Sequence, residues 1–328
     1  MNYRNFSNLG WRVSEVGLGC WQIGWCWGDI TDDTARNIIK QALDSGTNFF
    51  DTSDTYGDGR SEKFLSEISS LHKKEEIYIT TKLGRRIRGT NYERGYKKFG
   101  MEEFVDRSLT NLKVETIDLV QMHCPTVDDC SKNDTYEIME QLIKKGKIRY
   151  YGISVYNLEE AYAAIERSNI KSIQLVFNIF RQKPKVELLK LAKNKNIAII
   201  ARGPLASGLL SGEIGLNTIF PENDHRNYNI KGEAFDIGDT FSGVDFHKGL
   251  EAVNELKKII PPNYNLAQLS LKWILSHPEI TTVIPGAINA EQVKLNNMTS
   301  DLDEIDYILD KIKNIYEEYI KNDVHHRW

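Results

Sequence analysis

The sequence predicts an α/β fold in which eight parallel strands, each followed by a helix, close into a (β/α)8 TIM barrel. Short apolar, β-prone segments alternate with longer segments of helical periodicity along almost the whole chain. The first strand is followed by Gly-Leu-Gly-Cys-Trp-Gln at 17–22, which lacks the G-x-G-x-x-G turn typical of an open, doubly wound sheet. These two observations favour a closed barrel over an open sheet.

The elements are predicted in chain order. Residues 2–6 and 11–14 form a hairpin, and residues 15–19 form the first barrel strand. Thr31, followed by two aspartates, predicts the start of the first long helix, and Gly46 predicts its end. The other seven strands are predicted at 48–50, 77–82, 117–122, 148–154, 172–177, 197–201 and 281–284. The helices that follow these strands are predicted at 61–69, 101–112, 135–145, 158–166, 185–193, 266–276 and 291–297.

Two long segments leave the end of the barrel at which its strands finish. Residues 85–98 are basic, and residues 211–243 are polar and rich in Asn, Asp and Gly. Loops of this length that lack periodicity are usually functional, so both segments are predicted to be lids over a site. Residues 245–259 and 301–321 are predicted to be additional outer helices. Because barrels of this size commonly form one unit, residues 1–328 are predicted to be a single domain.

The composition excludes several classes of function. The net charge is only −4, from 42 basic and 46 acidic residues, which predicts no nucleic-acid partner. No apolar run is long enough to cross a membrane, and the N-terminal residues lack the apolar core of a signal peptide. The four cysteines show neither C-x-x-C spacing nor a zinc-ligand pattern, which indicates reduced thiols and no metal site. We therefore expect a cytoplasmic protein that acts on a small molecule, and the sequence leaves its oligomeric state open.

Three apolar strands are each closed by an ionisable residue. These residues are Asp51, Lys82 and His123, and Tyr56 follows Asp51 five positions later. Because side chains alternate along a strand, all three can point into the barrel where its strands finish, which is where (β/α)8 enzymes carry their catalytic groups. A single residue of this kind is more often a cap or a solvated charge. The four together predict an active site.

These four residues form a candidate catalytic set for proton transfer to an oxygen that gains negative charge. Tyr56 is a weak acid with an ordinary pKa of about 10, and the ammonium group of Lys82 is expected to lower this pKa. Asp51 can hold Lys82 charged and in place, and His123 can donate a hydrogen bond to a carbonyl oxygen. None of these residues can donate hydride, so the chemistry requires a cofactor.

The chain resembles the aldo-keto reductase superfamily almost from end to end. The D-T-x-x-x-Y-G block at 51–57, in register with the later Lys and His, is specific. The resemblance implies reduction of an aldehyde or ketone by a reduced nicotinamide dinucleotide, which is bound without a Rossmann fold. The motifs that carry it are Gly17-Leu18-Gly19, Asp51-Thr52-Ser53-Asp54-Thr55-Tyr56-Gly57, Thr81-Lys82, Gln121-Met122-His123, Gly152-Ile153-Ser154, Gly203-Pro204-Leu205-Ala206-Ser207-Gly208-Leu209-Leu210 and Val283-Ile284-Pro285-Gly286-Ala287.

The resemblance also implies positions that bind the cofactor. Ser154 and Gln174 match residues that hydrogen-bond the nicotinamide carboxamide, and Arg202 stands where many members stack a tyrosine on the nicotinamide ring. Leu205 and Ser207 match residues that contact the pyrophosphate. The other cofactor-binding candidates are Gly19 in the first strand and Gly286, Ala287, Asn289, Gln292 and Asn296 toward the adenosine end.

The cofactor is predicted to be NADPH, with NADH also usable. In many members a Lys or Arg near the last barrel strand binds the adenosine 2′-phosphate. Residues 286–292 contain no cation, and therefore only a modest preference for NADPH over NADH is predicted.

Three tryptophans, Trp21, Trp25 and Trp27, follow the first strand and predict an aromatic wall of a substrate pocket. Tryptophans on a loop can equally pack beneath a lid. The substrate stays open between a simple aldehyde, a sugar and a nucleotide-linked keto sugar. An alternative function is a cofactor-binding redox sensor or regulatory subunit on the same scaffold. A barrel hydrolase with Asp51 and Asp54 as paired carboxylates is disfavoured, because Lys, His and Tyr dominate the site.

Overall fold

The computed structural model describes residues 1–24, 27–69, 76–88, 91–94, 98–167 and 169–328. Its strands are β1 (Tyr3–Phe6), β2 (Trp11–Ser14), β3 (Leu18–Gly19), β4 (Phe49–Asp51), β5 (Tyr78–Leu83), β6 (Arg85–Arg88), β7 (Asn91–Arg94), β8 (Ile117–His123), β9 (Ile148–Ser154), β10 (Ser172–Val176), β11 (Ala198–Arg202) and β12 (Ile280–Val283). Eight of them, β3 to β5 and β8 to β12, are parallel and pair in chain order. The sheet closes because Val16 forms a parallel bridge with Val283. The predicted (β/α)8 barrel is confirmed.

Helices pack around the outside of this barrel. A large apolar cluster joins outward-facing strand residues such as Phe50 to buried helix faces such as that of Ile38. Thr31 caps the first long helix, where its hydroxyl accepts a hydrogen bond from the Thr34 amide at 3.2 Å. The helices are α1 (Trp21–Gly24), α2 (Asp32–Asp44), α3 (Arg60–Leu65), α4 (Lys98–Leu112), α5 (Val127–Ser131), α6 (Asn133–Lys144), α7 (Leu158–Arg167), α8 (Leu188–Asn194), α9 (His225–Tyr228), α10 (Phe246–Lys257), α11 (Leu266–Leu275), α12 (Ala290–Met298), α13 (Leu309–Ile315) and α14 (Lys321–Val324).

The hairpin of β1 and β2 covers the end of the barrel at which the strands begin. Phe6 and Val13, both fully buried, form a second apolar cluster with Phe49, Leu119 and Ile200 from inside the barrel. This cluster fills the lower part of the barrel, so that any open site has to lie at the other end.

The alternation of side chains along the strands places polar groups directly above this second apolar cluster. In β4, Phe49 belongs to the inner cluster and Phe50 to the outer cluster, so Asp51 points inward again. The same alternation points Lys82 in β5 and His123 in β8 toward the interior. The ends of three strands thus deliver three ionisable groups to one place.

The two segments at the open end contain more regular structure than the sequence predicts. Residues 85–98 begin with β6 and β7, which pair as an antiparallel hairpin. Residues 211–243 contain the short helix α9 and two 3-10 turns, Ile237–Asp239 and Phe241–Gly243. Elements this short span too few residues to produce a periodic apolar pattern.

The C-terminal segment predicted as one helix at 301–321 is instead a succession of 3-10, α and π turns that includes α13 and α14. Among the described residues, no helix combines the length and the hydropathy that crossing a bilayer requires.

Candidate active site

Lys82 lies at the centre of the site and is almost completely buried. Its Nζ lies 2.6 Å from Oδ2 of Asp51 and donates to the hydroxyl of Tyr56 at 3.1 Å. A third hydrogen bond, at 2.8 Å, goes to the carbonyl of Thr52. All three donors of the ammonium group are therefore used. Lys82 itself does not line the cavity described below, whereas Tyr56 does.

The electrostatics of this pair differ from the sequence-based expectation. Burial disfavours the charged form of Lys82, but Asp51 and Tyr56 outweigh burial, and the pKa of Lys82 is raised. Burial also raises the pKa of Tyr56, and Asp51 adds to this effect, while Lys82 opposes it. Lys82 acts in the expected direction, but burial outweighs it, and the pKa of Tyr56 lies above its ordinary value rather than below it. Tyr56 is therefore a protonated phenol at neutral pH.

His123 stands beside Tyr56 at the end of β8. Its Nδ1 lies 3.4 Å from the hydroxyl of Ser53, and its ring meets that of Tyr56 edge to face with centroids 6.4 Å apart. Both rings line the same cavity. The strand end and the loop after β4 thus bring together two polar groups that are 67 positions apart in the chain.

A layer of amides below the ion pair fixes the Asp51 carboxylate. Its Oδ1 accepts hydrogen bonds from Gln174 at 2.7 Å and from Gln121 at 3.2 Å. The hydroxyl of Ser154 donates to Oε1 of Gln174 at 3.1 Å. In the sequence Gln121 stands out only as part of the Gln121-Met122-His123 motif, with no role assigned to it. Its position two residues before His123 in the same strand would have placed it on the inward face.

A cavity of about 460 Å³ opens at the ends of the strands, within the size range of ligand sites. Asn289 and Lys82 are not in its wall, and Trp25 lies outside the described residues. The other sequence-predicted residues all line it: Gly19, Trp21, Trp27, Asp51, Tyr56, His123, Ser154, Gln174, Arg202, Leu205, Ser207, Gly286, Ala287, Gln292 and Asn296.

Arg202 and Ser207 both contact the segment 211–243. Arg202 pairs with Asp239 at 2.6 Å, and the Ser207 hydroxyl donates to the carbonyl of Asp239 at 2.9 Å. Residues 206–208 all have positive φ, a strained turn of the kind found at ligand sites. The Ser207 hydroxyl therefore holds the segment 211–243 against the barrel. The sequence did not predict this role for Ser207.

The far end of the cavity is formed by α12 and by the loop before it. Asn289 caps this helix and accepts a hydrogen bond from the amide of Gln292 at 2.8 Å. Oε1 of Gln292 accepts from the amide of Ile288 at 3.0 Å. At Gly286 a β-carbon would lie 1.9 Å from Oε1 of Gln22, so a lysine here would displace Gln22. Gln22 also lines the cavity and was missed from the sequence.

An aromatic wall borders the cavity next to Tyr56. The rings of Trp21 and Tyr56 stack with centroids 6.2 Å apart, and Trp27 meets Trp21 edge to face at 5.6 Å. His225 and Phe235, both from the segment 211–243, pack against Trp21 with ring centroids 4.8 Å and 6.0 Å away, and Phe235 also lines the cavity. The segment therefore packs on the predicted tryptophans, and its own aromatic residues carried no signal in the sequence.

Thiol and metal chemistry have little support in this site. Cys20 and Cys124 are buried, and burial raises the pKa of both thiols. A thiol with a raised pKa is a poor nucleophile. Across the part of the chain that the structure describes, no three His, Cys, Asp or Glu residues cluster as metal ligands would.

Residues 15–317 match the sequence profile of the Aldo/keto reductase family. The oxidoreductase YqkF of Bacillus subtilis (strain 168) is 31% identical over 299 residues, or 90% of each chain. A probable voltage-gated potassium channel subunit beta of Arabidopsis thaliana is 29% identical over 97% of each chain. The solved structure of the glycerol dehydrogenase AKR11B4 from Gluconobacter oxydans is 27% identical and superposes with a TM-score of 0.81, covering 97% of this chain and 96% of that one. The chain belongs to the aldo-keto reductase family, whose members are nicotinamide-dependent oxidoreductases of small carbonyl compounds.

Proposed function

We propose that this protein reduces an aldehyde or ketone to an alcohol by hydride transfer, with Tyr56 as the general acid. One observation carries the proposal: the Tyr56 hydroxyl accepts a hydrogen bond from buried Lys82 at 3.1 Å and lines a ligand-sized cavity. A phenol backed by a buried ammonium group can give up its proton and be left as a stabilised phenolate.

The residues act in a defined order. A carbonyl oxygen in the cavity accepts hydrogen bonds from Tyr56 and His123, which polarise the carbonyl carbon. As negative charge develops on that oxygen, Tyr56 transfers its proton, and Lys82 stabilises the phenolate left behind. Asp51 holds Lys82 charged, and Gln174 orients Asp51. The raised pKa of Tyr56 keeps the proton on the phenol until the substrate oxygen has become the stronger base.

When bound, a reduced nicotinamide dinucleotide supplies the hydride. The described residues fit such a group. Ser154 and Gln174 would hold its carboxamide, and Arg202, whose buried Nε has no hydrogen-bond partner among the described residues, would flank the nicotinamide ring. Ser207 belongs to the strained turn and Leu205 directly precedes it, and this stretch would meet the pyrophosphate. The adenosine end would lie against Gly286, Ala287, Gln292 and Asn296, and Gly19 also lines the cavity.

NADPH is the cofactor that we infer, with NADH also used. Oε1 of Gln292 accepts from the amide of Ile288, and none of the residues that the structure describes engages its Nε2, which can therefore donate to a 2′-phosphate. Asn289 does not line the cavity; it supports the adenosine end by capping α12, where it accepts a hydrogen bond from the amide of Gln292. The substrate class that we infer is a small hydroxylated aldehyde or ketone. The aromatic wall of Trp21 and Trp27 beside polar groups supports this class, as does the similarity to a glycerol dehydrogenase.

The test is steady-state oxidation of NADPH with a panel of small aldehydes that includes glyceraldehyde. We expect turnover on the order of 1 s⁻¹ or faster with at least one of them. The matched control is Tyr56→Phe, which should bind NADPH and turn over far more slowly. A wild-type protein that binds NADPH and reduces no carbonyl compound would rule out the proposal.

A redox sensor or regulatory subunit is the second candidate. The similarity to a probable potassium channel subunit beta over 97% of each chain favours it. The same assay distinguishes the two functions, because a sensor would bind the dinucleotide tightly and turn over slowly with every carbonyl compound.

A further inference from the structure

Arg202 is held by a carboxylate from a distant part of the chain. Its Nη1 donates to Oδ1 of Asp239 at 2.6 Å, and its Nη2 donates to the carbonyl of Val155 at 3.3 Å. Arg202 ends β11, Val155 follows β9, and Asp239 belongs to the segment 211–243. Three elements thus fix the plane of one guanidinium group at the wall of the cavity.

Tyr156 in turn holds the carboxylate. Its hydroxyl donates to Oδ2 of Asp239 at 2.8 Å and accepts a hydrogen bond from Arg85. Its ring centroid lies 5.3 Å from Cζ of Arg202. Burial and the charge of Asp239 raise the pKa of Tyr156 well above its ordinary value. Tyr156 is therefore a permanent donor that orients Asp239 toward Arg202.

The charges of Arg202 and Asp239 cancel in a largely buried place. Their side chains are only 17% and 9% exposed. Burial disfavours ionisation of Asp239, but Arg202 and Arg85 outweigh it, and the pKa of Asp239 is lowered. Asp239 is the carboxylate paired with Arg202 in the described part of the chain.

The pair also depends on how the segment 211–243 is seated. The Ser207 hydroxyl donates to the carbonyl of Asp239 at 2.9 Å and accepts from the amide of Phe241 at 3.1 Å. Asp239 reaches Arg202 because these contacts pin its turn to the barrel. The charge of Arg202 beside the cavity is therefore cancelled when the end of this segment is in place. Arg85, a second cation in the cavity wall, donates to Tyr156.

The next step rests on the proposed function, in which Arg202 flanks the nicotinamide ring. We propose that Asp239, oriented by Tyr156, is a positioning residue that cancels the charge of Arg202 beside this ring and so sets the relative affinity for oxidised and reduced cofactor. The oxidised ring is positively charged, whereas the reduced ring is neutral. A bare guanidinium group nearby would repel only the oxidised ring, and repulsion between two charges a few ångströms apart changes a dissociation constant by roughly ten-fold or more.

The test is equilibrium binding of NADP⁺ and of NADPH, measured by calorimetry on three proteins. Asp239→Asn should raise the ratio of the dissociation constants, NADP⁺ over NADPH, by roughly ten-fold or more relative to wild type. Arg202→Gln should move the same ratio in the opposite direction, because the carboxylate of Asp239 then lies near the ring without its paired guanidinium group. Tyr156→Phe should also raise this ratio of dissociation constants, but by less than Asp239→Asn does. Loss of structure would weaken the binding of NADP⁺ and of NADPH together. Thermal unfolding of each variant checks whether its structure is retained.

Equal changes for NADP⁺ and NADPH in Asp239→Asn would overturn the inference and leave Asp239 with a structural role. If Asp239→Asn does not fold, Arg202→Gln decides the question. A ratio of dissociation constants, NADP⁺ over NADPH, that is equal to or above the wild-type ratio would then overturn the inference. A wild-type protein that binds neither NADP(H) nor NAD(H) would refute the proposed function as well. A wild-type protein that binds both redox forms, with ratios unchanged in the variants, would refute the inference alone.

Discussion

The hydroxyl of Tyr56 lies 3.1 Å from the ammonium group of Lys82, yet the pKa of Tyr56 is raised. Burial is the largest cause, and the carboxylate of Asp51, on the other side of Lys82, offsets part of the effect of the cation. A nearby cation therefore does not decide the direction of the shift. The arrangement keeps the phenol protonated, which is the state that a proton donor requires.

Replacement of Tyr56 tests its role directly. Tyr56→Phe should lower kcat by about 10²- to 10⁴-fold, the usual contribution of general acid catalysis. The dissociation constant for NADPH should stay within a few-fold, because Tyr56 is assigned to the substrate. Both values are measured by steady-state kinetics and by a binding titration. Tyr307→Phe, at an exposed tyrosine, is the control. Near-normal turnover in a folded Tyr56→Phe protein would contradict the assignment.

The raised pKa of Tyr56 predicts the pH dependence of the reduction. The acid form is the active form, so a raised pKa extends activity toward alkaline pH. We expect kcat/KM to show no loss from phenol ionisation below pH of about 10, the ordinary pKa of tyrosine. The measurement is kcat/KM for one aldehyde in constant-ionic-strength buffers. A decline with an apparent pKa near 7 or 8 that is absent in Tyr56→Phe would contradict a raised pKa.

The buried pair of Lys82 and Asp51 should couple strongly in stability. Lys82→Met leaves the carboxylate of Asp51 buried without its cation, which costs about 3–5 kcal/mol. The double variant Lys82→Met/Asp51→Asn should recover a large part of this loss, because the remaining amide is uncharged. Urea unfolding gives the free energy of unfolding of each protein. Lys40→Met, which removes an exposed pair with Asp44, should change it little. Additive losses in the double variant would show that the two residues do not interact.

The segment 211–243 should become more protected when the cofactor binds. Its residues Arg226, Phe235 and Asp239 line the cavity, so a bound dinucleotide would add contacts to them. Hydrogen exchange of peptides from this segment should slow on saturation with NADPH. Peptides from α6, which contributes no described residue to the cavity, serve as the internal control. Unchanged exchange in 211–243 would argue against its role as a lid.

The preference for NADPH over NADH should be modest, and a cation at position 292 should increase it. A hydrogen bond to a charged group contributes about 1.5–3 kcal/mol, so Gln292→Arg should raise the preference by roughly 10- to 150-fold. The measurement is kcat/KM for both cofactors with one aldehyde. Glu291→Gln makes the same change in net charge outside the cavity wall and should leave the ratio nearly unchanged. A wild-type preference above about 1,000-fold, or ~4 kcal/mol, would require a cationic anchor elsewhere.

Much of the architecture could be predicted because it depends on local chemistry. The cap at Thr31 and the alternation of Phe49, Phe50 and Asp51 follow from residue type and strand period alone. The single-domain organisation and the cytoplasmic location stay predictions. The short turns within 211–243 could not be predicted, because contacts with residues outside the segment, such as Arg202 and Ser207, hold them rather than a periodic apolar face. The strands β6 and β7 within 85–98 have four residues each, too few for a periodic pattern.

The sequence by itself determined which ionisable groups meet, because Asp51 and His123 are the last residues of their barrel strands, Lys82 is the last but one of its strand, and all three point inward. Only the tertiary structure decided the chemical state of these groups. The direction of the Tyr56 pKa depends on burial and on the distance to two opposite charges, and neither quantity can be read from residue order. The same reason explains why Asp239 escaped notice: its role exists only because the fold places it 2.6 Å from Arg202, 37 positions away in the chain.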